Sequence, residues 1–492
     1  MTRLEFLGLP GNKWILLLII ILGAALRFFY LGSQSIWYDE AVSLAIADRL
    51  SLWEVLTNQG QSSHPPLYYL LLRAWIRGVE INDFTTRIPS TAAGILTIPL
   101  IYQAGRRLLN KTVGLWGAFF IAVFPFHVYY AQEARMYTLL AMLTTLSLIF
   151  FLKAVENNQW YTWGGYGLSL ALSLYTHYFI AFVILAYHLY LLLNWRRYLH
   201  FWKPVIITDF LLLLIFLPQV ANFLSQSQEV FKSYWLGKPS PLAFFTTIYF
   251  FVASYTVPPR LTFIGLFVLL SWLAIGLYDL YRQTKFDRDQ RMHFYLLGLG
   301  AFLPLLSALA ISQIRPIFLE RTLIVCTPFL VLLLAWILAS SRRHSPIPYL
   351  AGIMGVVLVL SLYRYYFDPA VHKPPMRQAA AHINAVIAPN DIVLHTSVGS
   401  FMPFLFYQPP AEHYLLWGDP DPRKSATTFE LFGGKIATLN DLGRYRRLWL
   451  VVVLDHSIEY QHNQVSWFDE HFPLVKETKV GGIIIRQYRV TK

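Results

Sequence analysis

Two adjacent acids follow the first apolar run of the chain. Asp39 and Glu40 lie in the segment SIWYDEAVSLAIADRL, whose pattern predicts an amphipathic helix that begins near them. A carboxylate within hydrogen-bond reach of a hydroxyl or amine can accept its proton, so both residues are candidate catalytic groups. The alternative is structural, because acids in the first turn of a helix favour the positive end of its dipole. The spacing alone leaves both interpretations open.

Two histidines are candidates for positioning a substrate. His64 directly precedes two prolines, which fix the backbone where the next helix begins and so direct the imidazole. His177 lies in LYTHYFIAF, at the end of an apolar run. The alternatives are that His64 caps a helix and that His177 only packs between helices. Asp39, Glu40 and His64 could also bind a divalent metal ion, but groups this far apart are a weak metal signal.

Three arginines, Arg87, Arg135 and Arg321, lie at ends of apolar runs on one predicted side of the chain. A guanidinium group suits a phosphate, whose oxygens it meets with two parallel hydrogen bonds. For each arginine the alternative is a side chain that reaches the membrane surface along an apolar stem. Arg135 has the further alternative of pairing with Glu133. Three arginines on one side favour a phosphate site.

The composition indicates which elements hold these residues. Of 492 residues, 56% are hydrophobic and 14% are charged, whereas soluble domains have about 25% charged residues. Aromatic residues make up 16% of the chain, which is typical of the belts at membrane interfaces. These values exclude a simple soluble enzyme and the disordered and fibrous classes.

The net charge of +13 would favour nucleic-acid binding in a soluble chain. Here the basic residues fall mostly in short loops between apolar runs, where they orient a membrane protein with those loops in the cytoplasm. We therefore expect membrane lipids, and no nucleic acid, as partners. The single cysteine, Cys326, excludes an internal disulfide and is expected to be a packed apolar residue.

Eleven apolar runs are near the length that crosses a bilayer. The first begins at Trp14 after Arg3 and Lys13, which predicts an uncleaved span with a cytoplasmic N-terminus. Alternate later loops are basic, as eleven crossings require, and the C-terminus is then extracytoplasmic. The other runs are 88–104, 113–130, 137–154, 161–177, 179–194, 205–221, 261–281, 292–312, 322–340 and 348–364.

Two further apolar stretches, 64–78 and 241–256, do not fit this count. The first is short and is interrupted by Arg73 and Arg77, so we expect in-plane helices on the outer surface for both. The first of them belongs to a large outer loop, 32–87.

The composition changes after Tyr366, which predicts a transmembrane domain over 1–365 and a soluble outer domain over 366–492. A helical pattern at 376–388 precedes three strand-like runs, DIVLHTS, RLWLVVVLD and GGIIIRQYRV. The outer domain is therefore expected to have a small α/β fold.

Four motifs, in this order and spacing, carry a family resemblance: WYDE at 37–40, HPPLYY at 64–69, RIPS at 87–90 and QEARMY at 132–137. They resemble the multi-span glycosyltransferases of the C-type fold (GT-C), which use lipid-phosphate-linked sugars. This family includes the protein O-mannosyltransferases and the lipid A aminoarabinose transferase. The resemblance is detailed over residues 14–140 and general beyond them.

The resemblance implies an inverting transfer of a hexose or pentose from a polyprenyl phosphate to a lipid, glycan or protein acceptor. The reaction would take place on the extracytoplasmic face of a bacterial inner membrane, as part of cell-envelope assembly. No cofactor is certain, and a divalent metal ion stays an open alternative.

The resemblance also implies roles for individual residues. Asp39 matches the acid of the family's first loop and would activate the acceptor, with Glu40 as its catalytic neighbour. The residues expected to position the acceptor or donor are Tyr38, His64, Tyr137 and His177. The residues expected to bind the donor phosphate are Arg87, Arg135 and Arg321.

The chain departs from two branches of the family. The aminoarabinose branch has a lysine in the first loop near the lipid phosphate, but the segment 62–66 reads SSHPP, which speaks against an aminoarabinose donor. The outer domain differs from the modules of eukaryotic protein mannosyltransferases, which speaks against a protein acceptor.

Other functions remain as alternatives. A secondary transporter would carry its ionisable groups near mid-membrane and show internal repeats. Here the polar cluster is predicted at the membrane surface, and no repeat is found. A polymerase or ligase of lipid-linked glycans would be expected to have its largest loop late in the chain. A protein that serves only as an inactive scaffold would not need these polar candidate residues beside so many apolar runs.

Overall fold

The structure is a computed structural model that describes residues 11–57, 64–233, 237–284, 287–342, 344–407, 412–416, 434–437, 442–453 and 458–490. The helices of the first loop and the early apolar runs are α1 (Gly11–Phe28), α2 (Tyr38–Arg49), α3 (Leu52–Leu56), α4 (Leu67–Ile76), α5 (Ile88–Leu108), α6 (Lys111–Val123), α7 (Pro125–Ala131), α8 (Tyr137–Asn157), α9 (Trp160–Leu174) and α10 (Ile180–Leu193). They continue as α11 (Trp195–Tyr198), α12 (Trp202–Phe216), α13 (Val220–Ser233), α14 (Ala243–Ala253), α15 (Pro259–Thr284), α16 (Arg288–Ser312), α17 (Thr327–Ala339) and α18 (Ile347–Phe367).

Helices lie at all eleven apolar runs, which confirms a mostly helical membrane protein. By length and composition, six helical stretches of the described chain could cross a membrane, or seven if the bent pair α6 and α7 is one span. The helices α9 and α10 have 15 and 14 residues, fewer than the roughly 20 that a span needs. The count of eleven crossings therefore stays a prediction. The six stretches are Tyr137–Asn157, Trp195–Gln228, Pro259–Gln283, Arg288–Ser312, Glu320–Ala339 and Ile347–Phe367.

The two short apolar stretches form the helices α4 and α14, with 10 and 11 residues. These lengths agree with the expectation that neither crosses the membrane, because about 20 residues are needed. Their in-plane orientation stays a prediction.

The bend between α6 and α7 sets the position of the polar turn that follows α7. Pro125 begins α7 after an extended residue, and the two helices meet at 57°. Arg27 of α1 is buried and donates to the carbonyl oxygens of Ile121 and Ala122 at 2.8 and 2.9 Å, which caps the carboxyl end of α6. Gln132 donates to the carbonyl oxygen of Arg27 at 2.9 Å. These bonds fix the turn after α7 against the end of α1.

The chain after α18 forms the expected α/β domain. Its helices are α19 (Met376–Asn384), α20 (Val398–Tyr407) and α21 (Ile458–His471), and its strands are β1 (Asp391–His395), β2 (Glu412–Leu416), β3 (Lys435–Ala437), β4 (Arg447–Val453), β5 (Leu474–Val480) and β6 (Ile483–Arg489). The sheet has the order β3-β2-β1-β4-β6-β5, with parallel pairs from β3 to β4 and antiparallel pairs at β6 and β5. The predicted helix and three predicted strands correspond to α19, β1, β4 and β6. The helix α20 packs against α2, so this domain contacts the helix that carries Asp39.

Candidate active site

Asp39 and Arg321 form an ion pair at the accessible side of the polar cluster. Asp39 lies in the first turn of α2, and Arg321 lies in the 3₁₀ turn Glu320–Cys326 that precedes α17. Nη1 of Arg321 is 2.8 Å from Oδ2 of Asp39, and the two side chains are 19% and 14% exposed. The guanidinium carbon lies 5.8 Å from the ring centres of both Trp37 and Tyr137. A carboxylate and a cation, each partly exposed, are thus held together.

Glu40 and Arg87 form a second pair that is fully buried. Arg87 lies in the 3₁₀ turn that leads into α5, and its Nε and Nη2 donate to the two carboxylate oxygens of Glu40 at 2.8 and 2.9 Å. Its remaining N–H groups donate to the carbonyl oxygens of three residues in the turn after α1, namely Leu31, Gln34 and Ser35. All five N–H groups of Arg87 are therefore used inside the protein.

This arrangement changes the roles expected for Glu40 and Arg87. Burial alone would raise the pKa of Glu40, but the charges of Arg87 and Lys373 lower it to about 2. A carboxylate with so low a pKa is a poor proton acceptor at neutral pH. Arg87 has no donor left for a phosphate. The geometry favours a structural role for both residues, which join α2 to the start of α5.

Lys373 enters the cluster from the segment between α18 and α19. Its Nζ is 3.1 Å from Oε2 of Glu40 and 3.4 Å from Oε1 of Glu133, and it lies 5.6 Å from the ring centre of Trp37. Lys373 was not predicted as a site residue, because a lysine in HKPP after the last apolar run has the pattern of an ordinary linker. The aromatic residues at the end of α18, just before this segment, also do not indicate that the chain returns to the first loop.

Glu133 is the second residue of the cluster that was not predicted as a site residue. Its carboxylate is buried, and neither oxygen has a hydrogen-bond partner in the described chain. Burial raises its pKa, although the charge of Lys373 opposes this shift. Buried polar atoms in native proteins are nearly always hydrogen-bonded. A buried carboxylate whose one close polar contact is the 3.4 Å ion pair with Lys373 is therefore a candidate for contact with a substrate.

Arg135 fixes α2 from the turn after α7. Its Nη1 donates to the carbonyl oxygen of Asp39 at 3.2 Å and to Oγ of Ser43 at 3.0 Å. Its Nε and the Nε of Arg321 are buried and have no hydrogen-bond partner in the part of the chain that the structure describes. Two guanidinium groups with unused donors thus flank the carboxylate of Asp39.

The two predicted histidines lie together although they are far apart in sequence. The ring centres of His64 and His177 are 5.1 Å apart. Burial, with the nearby charge of Arg135, lowers the pKa of His64 well below its usual value, so this imidazole is neutral at pH 7. Tyr38 begins α2, and the buried hydroxyl of Tyr137 has no hydrogen-bond partner among the described residues. These positions are compatible with substrate contacts, and their roles stay predictions.

The metal alternative does not fit this geometry. Among the described residues, no group of three or more histidine, cysteine or acidic side chains could hold a metal ion. Glu40, one of the three expected ligands, gives both oxygens to Arg87, and Lys373 lies beside it. A divalent cation at Asp39 would in addition meet the positive charge of Arg321.

The one cysteine is placed as expected. Cys326 is fully buried at the end of the 3₁₀ turn before α17. It therefore behaves as a packed apolar residue and not as a nucleophile.

Comparison with known proteins gives one family match and several structural matches. The family model of dolichyl-phosphate-mannose-protein mannosyltransferases matches residues 63–221. Curated protein sequences give no match. The matched range contains His64, Arg87, Glu133, Arg135 and His177, which the structure brings to one site.

The structural matches extend over nearly the whole chain. The apo crystal structure of ArnT from Cupriavidus metallidurans covers 97% of this chain and 98% of its own, with 11% identity and a TM-score of 0.63. The same protein bound to undecaprenyl phosphate gives the same coverage and identity, with a TM-score of 0.61. The apo oligosaccharyltransferase of Archaeoglobus fulgidus covers 97% of this chain and 74% of its own, with 11% identity and a TM-score of 0.52. At this identity the matches establish the fold, and the chain is therefore a membrane protein with the GT-C fold of glycosyltransferases.

Proposed function

We propose that this protein is an integral-membrane inverting glycosyltransferase that moves a sugar from a polyprenyl phosphate to an acceptor. The observation that carries the proposal is the partly exposed pair of Asp39 and Arg321, whose charged atoms are 2.8 Å apart. One group can accept the proton of an attacking hydroxyl, and the other can bind a phosphate. The fold and the family match over 63–221 support the same reaction class. ArnT from Cupriavidus metallidurans, which shares the fold, binds undecaprenyl phosphate.

The proposed reaction is a single displacement. The acceptor hydroxyl attacks the anomeric carbon from the face opposite the phosphate, and Asp39 accepts the hydroxyl proton. The bond between the anomeric carbon and the phosphate oxygen breaks, and its electron pair leaves with the polyprenyl phosphate. One displacement inverts the anomeric configuration. Because the phosphate competes with Asp39 for Arg321, donor binding would also release the carboxylate to act as the base.

Arg135 and Arg321 are the proposed phosphate ligands. Both have a buried Nε without a hydrogen bond, and both lie next to Asp39. Charge develops on the leaving phosphate oxygen as the bond breaks, so fixed cations there stabilise the transition state. Arg87, in contrast, is proposed to position Glu40 and through it the first turn of α2. Tyr38, His64, Tyr137 and His177 are proposed to position the donor or the acceptor.

Arg321→Ala is expected to lower turnover by roughly 10²–10³-fold, the usual loss when one group that stabilises a developing charge is removed. Affinity for free polyprenyl phosphate should fall as well. Arg315→Ala is the matched control, because Arg315 is an exposed arginine just before the same turn. The measurement is donor turnover and polyprenyl phosphate affinity of the two purified variants. Equal losses in both variants, or none in Arg321→Ala, would remove Arg321 from the phosphate site.

The acceptor class and the sugar can be found with one experiment. The purified protein is placed in liposomes with a panel of polyprenyl phosphates that carry radiolabelled hexoses or pentoses, together with an extract of bacterial envelope. Transfer of label from one donor to a lipid, glycan or protein fraction is the expected result, and the labelled fraction identifies the acceptor. If no donor is consumed by a folded protein, the proposal is wrong and the transporter and polymerase alternatives gain support.

The location of the reaction is part of the same proposal. The integral-membrane character rests on the fold and on the apolar helices. A bacterial inner membrane, a cytoplasmic N-terminus and an extracytoplasmic α/β domain are proposed from the basic loops between the apolar runs.

A further inference from the structure

A histidine–aspartate pair on the outward surface joins the helices α10 and α12. Nε2 of His188 is 2.9 Å from Oδ2 of Asp209, and Nδ1 of the same ring is 2.8 Å from the carbonyl oxygen of Ile184. Both neighbours of the ring are acceptors when Asp209 is ionised. The imidazole then donates from both nitrogens and carries a positive charge.

The pair lies within the helices α10 and α12, away from their ends. Asp209 is seven residues from Trp202 at the start of α12 and seven from Phe216 at its end, which is about 10 Å in each direction. His188 lies at the same depth, because it contacts Asp209 directly. α12 belongs to a stretch that is long and apolar enough to cross a membrane.

The pair is open to the surroundings of the protein. The side chains of His188 and Asp209 are 38% and 37% exposed. Ionisable groups within membrane helices nearly always face other protein or a water-filled cavity, because contact with lipid is costly. Exposed apolar side chains lie three residues before and four residues after each member of the pair. They are Leu185, Leu192, Ile206 and Leu213.

We propose that a second copy of this chain covers this surface, so that the protein forms a two-fold symmetric dimer through α10 and α12. A two-fold axis along the membrane normal leaves every residue at its own depth. The axis therefore brings the pair of one copy opposite the pair of the other. His188 of each copy then faces Asp209 of its partner, and opposite charges meet.

This self-complementarity favours a second copy over an unrelated membrane protein. The surface offers one cation and one anion at a single depth, with apolar residues above and below both. An unrelated helix would have to supply both charges in reversed order, whereas a copy supplies them by symmetry.

Cysteine cross-linking in native membranes tests the dimer. The single cysteine, Cys326, is buried, so the wild-type chain is a control without a reactive thiol. Leu213→Cys lies on the side of α12 that carries Asp209, and Leu211→Cys is its matched control on another side of the same helix. Two differently tagged copies are expressed together and treated with an oxidant that enters the bilayer. The expected product is a disulfide dimer that contains both tags, formed by Leu213→Cys and not by Leu211→Cys.

The double variant His188→Leu with Asp209→Leu tests the role of the charges. Leucine suits a lipid-facing position, so the fold should persist while the dimer dissociates roughly threefold to thirtyfold more readily, as for other hydrogen-bonded contacts between membrane helices. Dissociation is measured by dilution of fluorescently labelled protein in liposomes. The proposal is overturned if both cysteine variants cross-link equally, if neither does, if Leu213→Cys captures a protein of different mass, or if the double variant dissociates like the wild type.

Discussion

Asp39→Asn is expected to lower sugar transfer by roughly 10²–10⁴-fold, the range that a positioned general base contributes. The amide has the shape of the carboxylate but cannot accept the proton of the acceptor. Its oxygen can still accept a hydrogen bond from Arg321, so folding and donor binding should change little. Turnover, donor affinity and the unfolding temperature are therefore measured on the same preparation.

Asp48→Asn is the matched control for this variant. Asp48 lies on the same helix as Asp39 but is exposed near the far end of α2. It should retain wild-type turnover. Near-normal turnover of Asp39→Asn would show that another group is the base. A large fall in unfolding temperature would mean that the pair with Arg321 is mainly structural.

Glu40→Gln is expected to destabilise the fold by about 3–5 kcal/mol, the usual cost of breaking a buried ion pair. The substitution leaves two cations, Arg87 and Lys373, without the carboxylate that both contact. The loss should be seen as a lower unfolding temperature in detergent. Glu80→Gln is the matched control, because this exposed acid lies in the same outer loop and surface changes usually stay within about 0.5 kcal/mol. Similar stability of the two variants would contradict the structural role of Glu40.

The same pair predicts a dependence of stability on pH. The charges of Arg87 and Lys373 outweigh burial and lower the pKa of Glu40 from 4.5 to about 2 in the folded protein. A lowered pKa means that the carboxylate stabilises the fold fully above the unfolded value and loses this contribution as the pH falls towards the folded value. The gap in unfolding temperature between wild type and Glu40→Gln should therefore narrow below about pH 4.5. If the difference in unfolding temperature stays constant down to pH 3, the charge of Glu40 does not contribute to stability, and Glu40 acts through its shape alone.

The helices and the outer domain were predictable because their signals are local. Long apolar runs predict helices wherever they occur, and all eleven runs contain one. The strand runs that form β1, β4 and β6 are rich in branched residues, and two of them are long. The strand β3 has three residues, which is too short for a pattern to stand out, and β2 begins with two polar residues, Glu412 and His413. The helix α20 was missed because VGSFMPFLFY is apolar except for Ser400 and has no clear period.

The sequence singled out several members of the polar cluster but not their pairing, and their roles in a site stay predictions. Asp39, Arg135 and Arg321 were selected by residue type and by their position at the ends of apolar runs. The sequence could not distinguish Arg321 from Arg87, because the difference depends on which acid each one meets. Arg87 meets Glu40, 47 positions away along the chain. Lys373 lies after the last apolar run but contacts Glu40 of the first loop, and no local sequence pattern predicts such a contact.

The most direct test of the proposed reaction is release of free polyprenyl phosphate by the purified protein in liposomes. Wild type and Asp39→Asn are compared on the donor that the panel identifies, each with and without acceptor. We expect release that requires both Asp39 and the acceptor, with one polyprenyl phosphate formed for each sugar transferred. Equal release by the two proteins, or release by wild type that is indifferent to the acceptor, would contradict an acceptor activated by Asp39.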